Sequence, residues 1–280
     1  MRAGLADLDQ AESMPMKSAL AVAAHPDDIE FCMAGTLLLL KQAGWEIHCL
    51  NVASGNCGSV KLNASPTRIV RRQEARRAAR TLGAQWHPPL CDDLEILYRL
   101  NLLRRVAAVI RKVKPAIVLT HSPEDYMEDH TNTCRLAVTA AFARGMRNFR
   151  TRPARKHLDG DVTVYHAMPH GLRDGMGRRI IPECFVNTVS VHELKFEALA
   201  CHRSQKEWLD VSQGMDSYLR SMEEMSLEVG RMSKGFKHAE GWRRHGHLGL
   251  CRPESDPLGD ALGIRLRVHK AYPLRLDQGR

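Results

Sequence analysis

The chain has 280 residues, of which 44% are hydrophobic, so it can bury a sizeable core as one α/β domain. No apolar run approaches the ~20 residues that a transmembrane helix needs, so we expect no contact with a membrane. Residues 1–17 lack the basic start and apolar centre of a signal peptide, and we expect a mobile extension there and a cytoplasmic protein. The eight cysteines form no CxxC pair, which agrees with reduced thiols in that compartment.

The formal net charge of +9 raises the question of a nucleic acid or an anionic ligand. The basic residues concentrate on two segments with a helical pattern and an apolar opposite face, and no aromatic residue is interleaved with them. We therefore expect solvated helix faces and no nucleic-acid partner. The two basic groups are Arg71, Arg72, Arg76, Arg77 and Arg80, and Arg104, Arg105, Arg111 and Lys112.

Strands and helices are predicted to alternate in the first half of the chain. Short apolar runs indicate buried strands, and apolar residues at i, i+3, i+4 and i+7, such as those from Leu103 to Ile110, indicate helices. This alternation predicts a Rossmann-like, mostly parallel sheet with helices on both faces, and ligands beyond the carboxyl ends of its strands. The predicted strands cover residues 19–24, 46–52 and 116–120, and the predicted helices cover residues 35–43, 67–82, 103–110 and 131–143.

The second half of the chain is less regular. A strand is predicted over residues 162–165, a helix over 190–209 that opens with the capping-box spacing of Ser190 and Glu193, and a helix over 215–232. That last helix carries an apolar stripe, which indicates core packing or a subunit interface and favours a homo-oligomer. The stripe consists of Tyr218, Met222, Met225 and Val229. We expect one domain over residues 18–245, and residues 246–280 as a tail that packs on it or on a neighbouring subunit.

Three polar side chains, His25, Asp27 and Asp28, crowd the end of the first predicted strand. Burial of that much charge without a partner is costly, and a divalent metal is a natural partner. Neighbouring side chains on a turning backbone point in different directions. The segment therefore predicts His25 and Asp28 as ligands of one ion and Asp27 as an uncoordinated base beside it. A turn with capping carboxylates is the alternative.

A second polar cluster, residues 124–130, follows the predicted strand that ends at Thr120. His130 would complete a site of two histidines and one carboxylate with an open position for water. Zinc in such a site lowers the pKa of its water to about 7, and Asp27 could act as the general base in the hydrolysis of an amide. The same ligands suit iron(II), so zinc and iron remain alternatives at this point.

Both clusters resemble the motifs of a known family. Residues 24–30 read AHPDDIE, which resembles the AHPDDE signature of the LmbE-like/PIG-L family of zinc-dependent N-deacetylases, and residues 125–130 read DYMEDH, which is similar to that family's DxHxDH motif. Further similar segments follow in the same order, and the resemblance covers residues 18–245. These segments are KPAIV at 114–118, HRSQ at 202–205 and HAEGW at 238–242.

The resemblance implies a Rossmann-like sheet, a single zinc and the removal of an acetyl group from an N-acetylglucosamine-type sugar. It implies His25, Asp28 and His130 as the metal ligands and Asp27 as the base. These are the same assignments that the residues alone suggest.

Met127 departs from the family pattern, because the family has a histidine at this position. That histidine is thought to stabilise the oxyanion or to protonate the leaving group with the help of the neighbouring aspartate, here Asp129. A thioether can do neither, and the loss of one oxyanion donor typically costs on the order of 100- to 1000-fold in turnover. We expect a nearby residue to substitute or to contact the substrate. The candidates for the missing donor are Tyr126, His121, His166, His170 and His202, and the predicted substrate contacts are Tyr126, Met127 itself, His202 and Asn56.

Three functions follow from these residues. The leading hypothesis is a zinc hydrolase that removes an N-acyl group from a small-molecule sugar substrate. Because of Met127, the alternative is a metal-holding protein that binds an aminosugar with weak or no turnover. An iron(II) oxygenase rests only on the type of ligand.

Overall fold

Strand β1 (Ser18–Ala23) occupies an inner position of the sheet, and its six residues are buried. In the computed structural model, which describes residues 16–212 and 218–272, its side chains alternate between two hydrophobic clusters. Ala21 packs in one cluster and Leu20 in the other. Small apolar side chains suit such a strand because both of its faces are covered.

The sheet has eight strands in the order β3-β2-β1-β4-β5-β7-β6-β8 within the described residues. The first five are parallel to one another, whereas β7, β6 and β8 pair antiparallel at the other edge. None of β3, β6, β7 and β8 is predicted from the sequence. The remaining strands are β2 (Glu46–Asn51), β3 (Gln85–His87), β4 (Ile117–Thr120), β5 (Thr163–Ala167), β6 (Cys184–Asn187), β7 (Ala239–Arg244) and β8 (Leu266–Val268).

Helices cover both faces of this sheet, so the predicted fold class is confirmed. Within the described ranges, no helix is long and apolar enough to cross a membrane. Single turns of 3-10 helix lie at Ala143–Gly145, His170–Leu172, Val189–Val191 and Gly263–Arg265. The α-helices are α1 (Asp28–Cys32), α2 (Ala34–Gln42), α3 (Ala64–Leu82), α4 (Leu100–Val113), α5 (Glu128–Phe142), α6 (His192–Leu199), α7 (Arg203–Ser212), α8 (Tyr218–Met232) and α9 (Pro257–Leu262).

The helix predicted over residues 190–209 is wrong in two respects. The chain forms two helices, α6 and α7, with a break at residues 200–202. The first helix begins after Val191, and no side chain forms a capping hydrogen bond there, so Ser190 and Glu193 make no capping box. Beyond the break, α7 contributes Trp208 and Leu209 to the lining of the cavity described below.

The apolar stripe of α8 packs inside the chain itself. Tyr218 and Met222 contact Phe31 and Leu199 in one cluster, and Val229 packs in another. Because these side chains are used in the core, the stripe gives no support to an interface between subunits. The homo-oligomeric state stays a prediction.

Residues 246–272 pack against the sheet and its helices. Helix α9 places Leu258 and Leu262 in the core, and β8 pairs with β6. The Tyr165 hydroxyl donates a hydrogen bond of 2.6 Å to Asp256 just before α9. Most of the predicted N-terminal extension, residues 1–15, and the last residues, 273–280, lie outside the described residues.

Glu240 on β7 joins three elements through its carboxylate. It accepts hydrogen bonds from the backbone N–H groups of Gly35 and Thr36, at 2.8 and 2.7 Å, in the first turn of α2. It also forms an ion pair of 2.8 Å with Lys195 of α6, and both side chains are only 2% exposed. A negative charge at a helix N-terminus is favourable. In the HAEGW segment, Glu240 therefore stabilises the fold.

We expect Glu240→Ala to destabilise the protein by about 3–5 kcal/mol, because it would leave the charge of Lys195 buried without a partner. The free energy of unfolding from urea denaturation measures this. Glu254→Ala, at an exposed position, is the control and should change stability by less than about 0.5 kcal/mol. Equal unfolding midpoints for the two variants would contradict the role of Glu240.

Candidate metal centre

The candidate metal centre lies where the carboxyl ends of β1 and β4 meet, because these strands are parallel neighbours. The loop after β1 carries His25 and leads to Asp28, the first residue of α1. The loop after β4 leads into α5, whose first turn carries His130. Two segments that are distant in sequence are thereby brought to one place.

His25, Asp28 and His130 converge as the sequence predicts. One ligand atom from each lies within 4.8 Å of the other two. The Nδ1 atom of His25 is 3.6 Å from Oδ2 of Asp28, and the Nε2 atom of His130 is 3.5 Å from Oδ1 of the same carboxylate. The inner nitrogens of two imidazoles therefore face one carboxylate.

The outer nitrogen of each histidine contacts a second carboxylate. The Nε2 atom of His25 is 3.0 Å from Asp129, and the Nδ1 atom of His130 is 3.0 Å from Asp125. Such a partner places the ring proton on the outer nitrogen and leaves the inner lone pair for a metal. This orientation is the one that a three-ligand metal site requires.

The catalytic role predicted for Asp129 is corrected by this geometry. The Asp129 carboxylate lies behind His25, accepts the backbone N–H of Leu94 at 2.8 Å, and does not line the cavity described below. It therefore orients His25, a candidate metal ligand, and substrate in the cavity would not reach it.

His121 lies beside the three ligands without replacing one of them. Its ring stacks on that of His130 at 4.1 Å, and its Nε2 atom is 3.3 Å from Asp28. The same Nε2 atom accepts the backbone N–H of Ala24 at 2.9 Å, so its lone pair is already used. The residues His121, Asp125 and His130 also lie within ligand distance, but Asp125 contacts the outer nitrogen of His130.

The charges in this site favour a cation. Burial raises the pKa of Asp28, but the neighbouring His130 and His121 outweigh that effect and hold the pKa well below its ordinary value. Burial lowers the pKa of His130, yet the Asp28 and Asp125 carboxylates raise it to about 10. Asp129 and Asp28 likewise overcome burial and raise the pKa of His25 to about 9. A divalent metal could provide the positive charge that these carboxylates attract, so the residues fit a metal ion.

Asp27 has a strained backbone, with φ of 113°. Its side chain makes no capping bond to α1, although the neighbouring Asp28 carboxylate accepts the backbone N–H of His25 at 2.7 Å within the turn. The Asp27 carboxylate accepts a hydrogen bond of 2.6 Å from the Tyr218 hydroxyl and lies 3.6 Å from the Arg71 guanidinium. Burial raises the pKa of Asp27, whereas Arg71 acts in the opposite direction. The carboxylate thus faces the cavity without being one of the three converging ligands.

A cavity of about 500 Å³ opens above the three ligands. Its floor is formed by His25, Asp28 and His130, with Asp27 beside them. The walls combine aromatic and apolar side chains, which suits a ligand with a flat, weakly polar surface. These wall residues include Phe31, Leu94, Tyr126, Met127, Met168, His170, Trp208, Leu209 and Tyr218.

The structure brings four of the predicted substrate-contact or acid residues to this cavity and, besides Asp129, leaves three outside it. Tyr126, Met127, His170 and His121 line the cavity. His166 does not, and its Nδ1 atom lies 2.9 Å from the backbone carbonyl oxygen of His121. His202 is buried away from the cavity, 3.3 Å from Glu30. The Asn56 side chain is used within its own loop, where it accepts the backbone N–H of Asp93 at 2.9 Å. The substrate contacts predicted for His202 and Asn56 are therefore not supported.

Arg71 is a site residue that the sequence analysis placed on a solvated helix face. It is only 1% exposed, lines the cavity and donates a hydrogen bond to the Pro26 carbonyl. Its position in α3 carried a signal, because Ala75 and Ala78 follow it at the spacing of one apolar helix face. The other arginines of its group on α3 are exposed, and Arg72 and Arg76 stack on Trp86. In the second basic group Arg111 is likewise not on a solvated face: it is 4% exposed and donates hydrogen bonds to the backbone carbonyls of Ala143 and Arg144.

The fold and site define an α/β protein with a three-ligand metal-type centre at the carboxyl edge of its sheet. Residues 20–142 match the family described as PIG-L, GlcNAc-PI de-N-acetylase. A 4-oxalmesaconate hydratase of Pseudomonas putida is 31% identical over 200 residues, which cover 69% of this chain and 75% of the relative. The chain belongs to the PIG-L family.

Two further relatives show the same family likeness. A diacetylchitobiose deacetylase of Thermococcus kodakarensis is 29% identical over 235 residues, which cover 81% of this chain and 83% of the relative. The crystal structure of a 4-carboxy-2-hydroxymuconate hydratase from Pseudomonas putida superposes with a TM-score of 0.69 at 25% identity and covers 82% of this chain and 96% of that one. Relatives of this chain are thus named as enzymes, both deacetylases and hydratases, which supports an enzyme here.

We expect Asp129→Ala to weaken metal binding by about 10- to 100-fold, because His25 would lose the carboxylate that orients it. Competition with a chromogenic chelator measures the dissociation constant. Glu128→Ala is the matched control, since this neighbouring carboxylate is exposed and contacts only Asn132. Equal affinities for the two variants would show that Asp129 does not position a ligand.

Proposed function

We propose that the protein is a zinc-dependent hydrolase that removes an N-acetyl group from an N-acetylglucosamine-type sugar or conjugate. The observation that carries this proposal is the cavity floor, where three ligand atoms lie within 4.8 Å of one another. A fourth side chain, the Asp27 carboxylate, faces the same cavity and is free to move a proton. The deacetylases among the relatives support the same reaction.

A bound zinc would act as a Lewis acid on the amide carbonyl and would make a bound water acidic near neutral pH. Asp27 would accept a proton from the attacking water and later deliver it to the leaving amine. The carboxylate is already positioned for this task, because Tyr218 donates to one of its oxygens and Arg71 lies near the other. His25, Asp28 and His130 would hold the ion.

The cavity walls support a sugar rather than a multiply charged acid. Trp208 and Tyr126 offer aromatic surface of the kind that packs against a pyranose ring. Among the described residues that line the cavity, Arg71 carries the only guanidinium or ammonium group, and it already contacts Asp27 and the Pro26 carbonyl. A ligand with several carboxylates would need more positive charge than this, because burial of an unpaired charge is costly.

The second candidate is the addition of water to the double bond of an unsaturated carboxylate. The 31% identical hydratase favours it, and so does Met127 on the cavity wall. A hydratase has no amine leaving group to protonate, so it does not need the family histidine in that role. The same zinc ligands and Asp27 would serve both reactions.

We expect Asp27→Asn to lower amine release from N-acetyl sugars by about 100- to 10,000-fold, because an amide cannot take the proton. Amine release from a panel of N-acetylated mono- and disaccharides measures this. Zinc content should stay at the wild-type value, since Asp27 is not one of the three ligands. Asp260→Asn, at an exposed position, is the control and should keep full activity.

Two outcomes would contradict the proposal in different ways. If neither the wild type nor Asp260→Asn releases amine, and the wild type binds an aminosugar only with zinc present, the protein would be a binding protein without turnover. Equal release by wild type and Asp27→Asn would show that another group acts as the base.

Met127→His distinguishes the deacetylase from the hydratase. In a deacetylase, the new imidazole would restore a donor on the cavity wall, so we expect amine release to rise at least about 10-fold, because one oxyanion donor contributes on the order of 100- to 1000-fold. Steady-state turnover on the best N-acetyl sugar of the panel measures the gain.

Met127→Leu is the matched control, because it keeps the volume and apolar character of the wall and should leave turnover within a few-fold. Hydration of unsaturated di- and tricarboxylates is followed in parallel by loss of ultraviolet absorbance. Hydration by wild type, with no amine release from either Met127 variant, would replace the deacetylase by the hydratase.

A further inference from the structure

A second group of metal-ligand side chains lies outside the cavity. It consists of His192, the first residue of α6, Glu223 in α8, and His238, which immediately precedes β7. One ligand atom from each lies within 4.8 Å of the other two. The group shares no residue with the candidate metal centre or with the cavity above it.

The two imidazoles of this group are packed face to face. Their ring centroids are 3.8 Å apart with an angle of 23° between the planes. The Nδ1 atoms of His192 and His238 are both buried and have no hydrogen-bond partner among the residues that the structure describes. Leaving a buried polar atom without a partner costs about 1–3 kcal/mol, so two such atoms side by side require an explanation.

Both imidazoles are favoured in the neutral form. Burial lowers the pKa of His192, and burial followed by the neighbouring His192 lowers the pKa of His238. A neutral imidazole retains a lone pair, which is the form that binds a metal. Glu223 is the solvent-accessible member of the group and supplies a carboxylate oxygen from α8.

We propose that His192, Glu223 and His238 form a second metal site, which takes zinc or a similar borderline divalent ion. Two imidazoles and one carboxylate suit zinc, whereas magnesium and calcium prefer oxygen ligands alone. Ligand atoms around a tetrahedral zinc ion are about 3.4 Å apart, so these three atoms, which lie within 4.8 Å of one another, need to approach by about 1.4 Å at most. Rotation of the accessible Glu223 side chain and a small tilt of the stacked rings provide this movement.

A metal ion in this site would connect three elements of the fold, α6, α8 and the start of β7. It would fix α8 to α6 and to the start of β7. Helix α8 begins at Tyr218, whose hydroxyl holds the Asp27 carboxylate in the cavity. The second site would therefore stabilise the fold and steady one wall of the cavity, without touching a substrate.

The test counts zinc in a variant whose first site has been disabled. Protein is stripped with a chelator, dialysed against micromolar zinc sulfate and analysed for metal. We expect about two zinc ions per chain in wild type and about one in His130→Ala. His192→Ala added to His130→Ala should abolish the remaining ion, and added zinc should no longer raise the melting temperature.

Glu223→Gln is a second variant that keeps the fold, because this side chain reaches solvent. In the His130→Ala background it should weaken zinc binding by at least about 10-fold. His157→Ala in the same background is the matched control and should retain one zinc ion, since His157 belongs to neither ligand group. Amine release is not measured here, so the result is independent of the reaction at the first site.

The proposal is overturned if His130→Ala holds no zinc, or if its zinc content and affinity are the same with and without the changes at His192 and Glu223. Loss of zinc in the control variant to the same extent would also overturn it, because the effect would not be specific to these ligands.

Discussion

The arrangement of the site depends on one carboxylate, that of Asp28, which lies among three imidazoles at the end of the central strands. Its oxygens are 3.3 to 3.6 Å from ring nitrogens of His25, His121 and His130. A carboxylate and imidazoles in so small a space attract either protons or a metal. The outer carboxylates, Asp129 and Asp125, orient the rings of His25 and His130 so that one nitrogen of each faces Asp28. The charges on the cavity floor are therefore arranged around the Asp28 carboxylate.

The scaffold that holds Asp28 in place relies on segments far from it in sequence. The strained backbone at Asp27 is maintained by contacts of Pro26 and Asp27 with Arg71 of α3 and by the hydroxyl of Tyr218 of α8. Glu240, near the other end of the chain, fixes the start of α2, which directly follows α1. Strained backbone of this kind persists only when the surrounding structure overdetermines it, and here α2, α3, α8 and β7 contribute contacts around the segment from Pro26 to the start of α2.

Local patterns were sufficient to predict four of the five parallel strands and the three converging ligands, because buried strands and motif spacing leave clear marks in sequence. They failed where long-range packing decides. The break between α6 and α7 has no proline or glycine to announce it, and the burial of Arg71 depends on contacts with the loop after β1. His202 looked available for substrate, yet the fold places it beside Glu30 in the interior. The three-residue β3 and the antiparallel strands β6, β7 and β8 were not recognised.

The residues on the floor of the cavity fit two reactions, whereas the residues of its walls differ in which ligand they favour. The floor, with its three ligands and a free carboxylate, is compatible with hydrolysis of an amide and with addition of water to a double bond. The walls differ in what they favour: aromatic surface and a single guanidinium group that already contacts Asp27 suit a sugar better than a ligand with several carboxylates. Met127 favours the other reaction, since a thioether cannot support a developing oxyanion. Because a histidine at this position would help only the deacetylation, the imidazole introduced there tests the chemistry more sharply than removal of any ligand, which would stop both reactions.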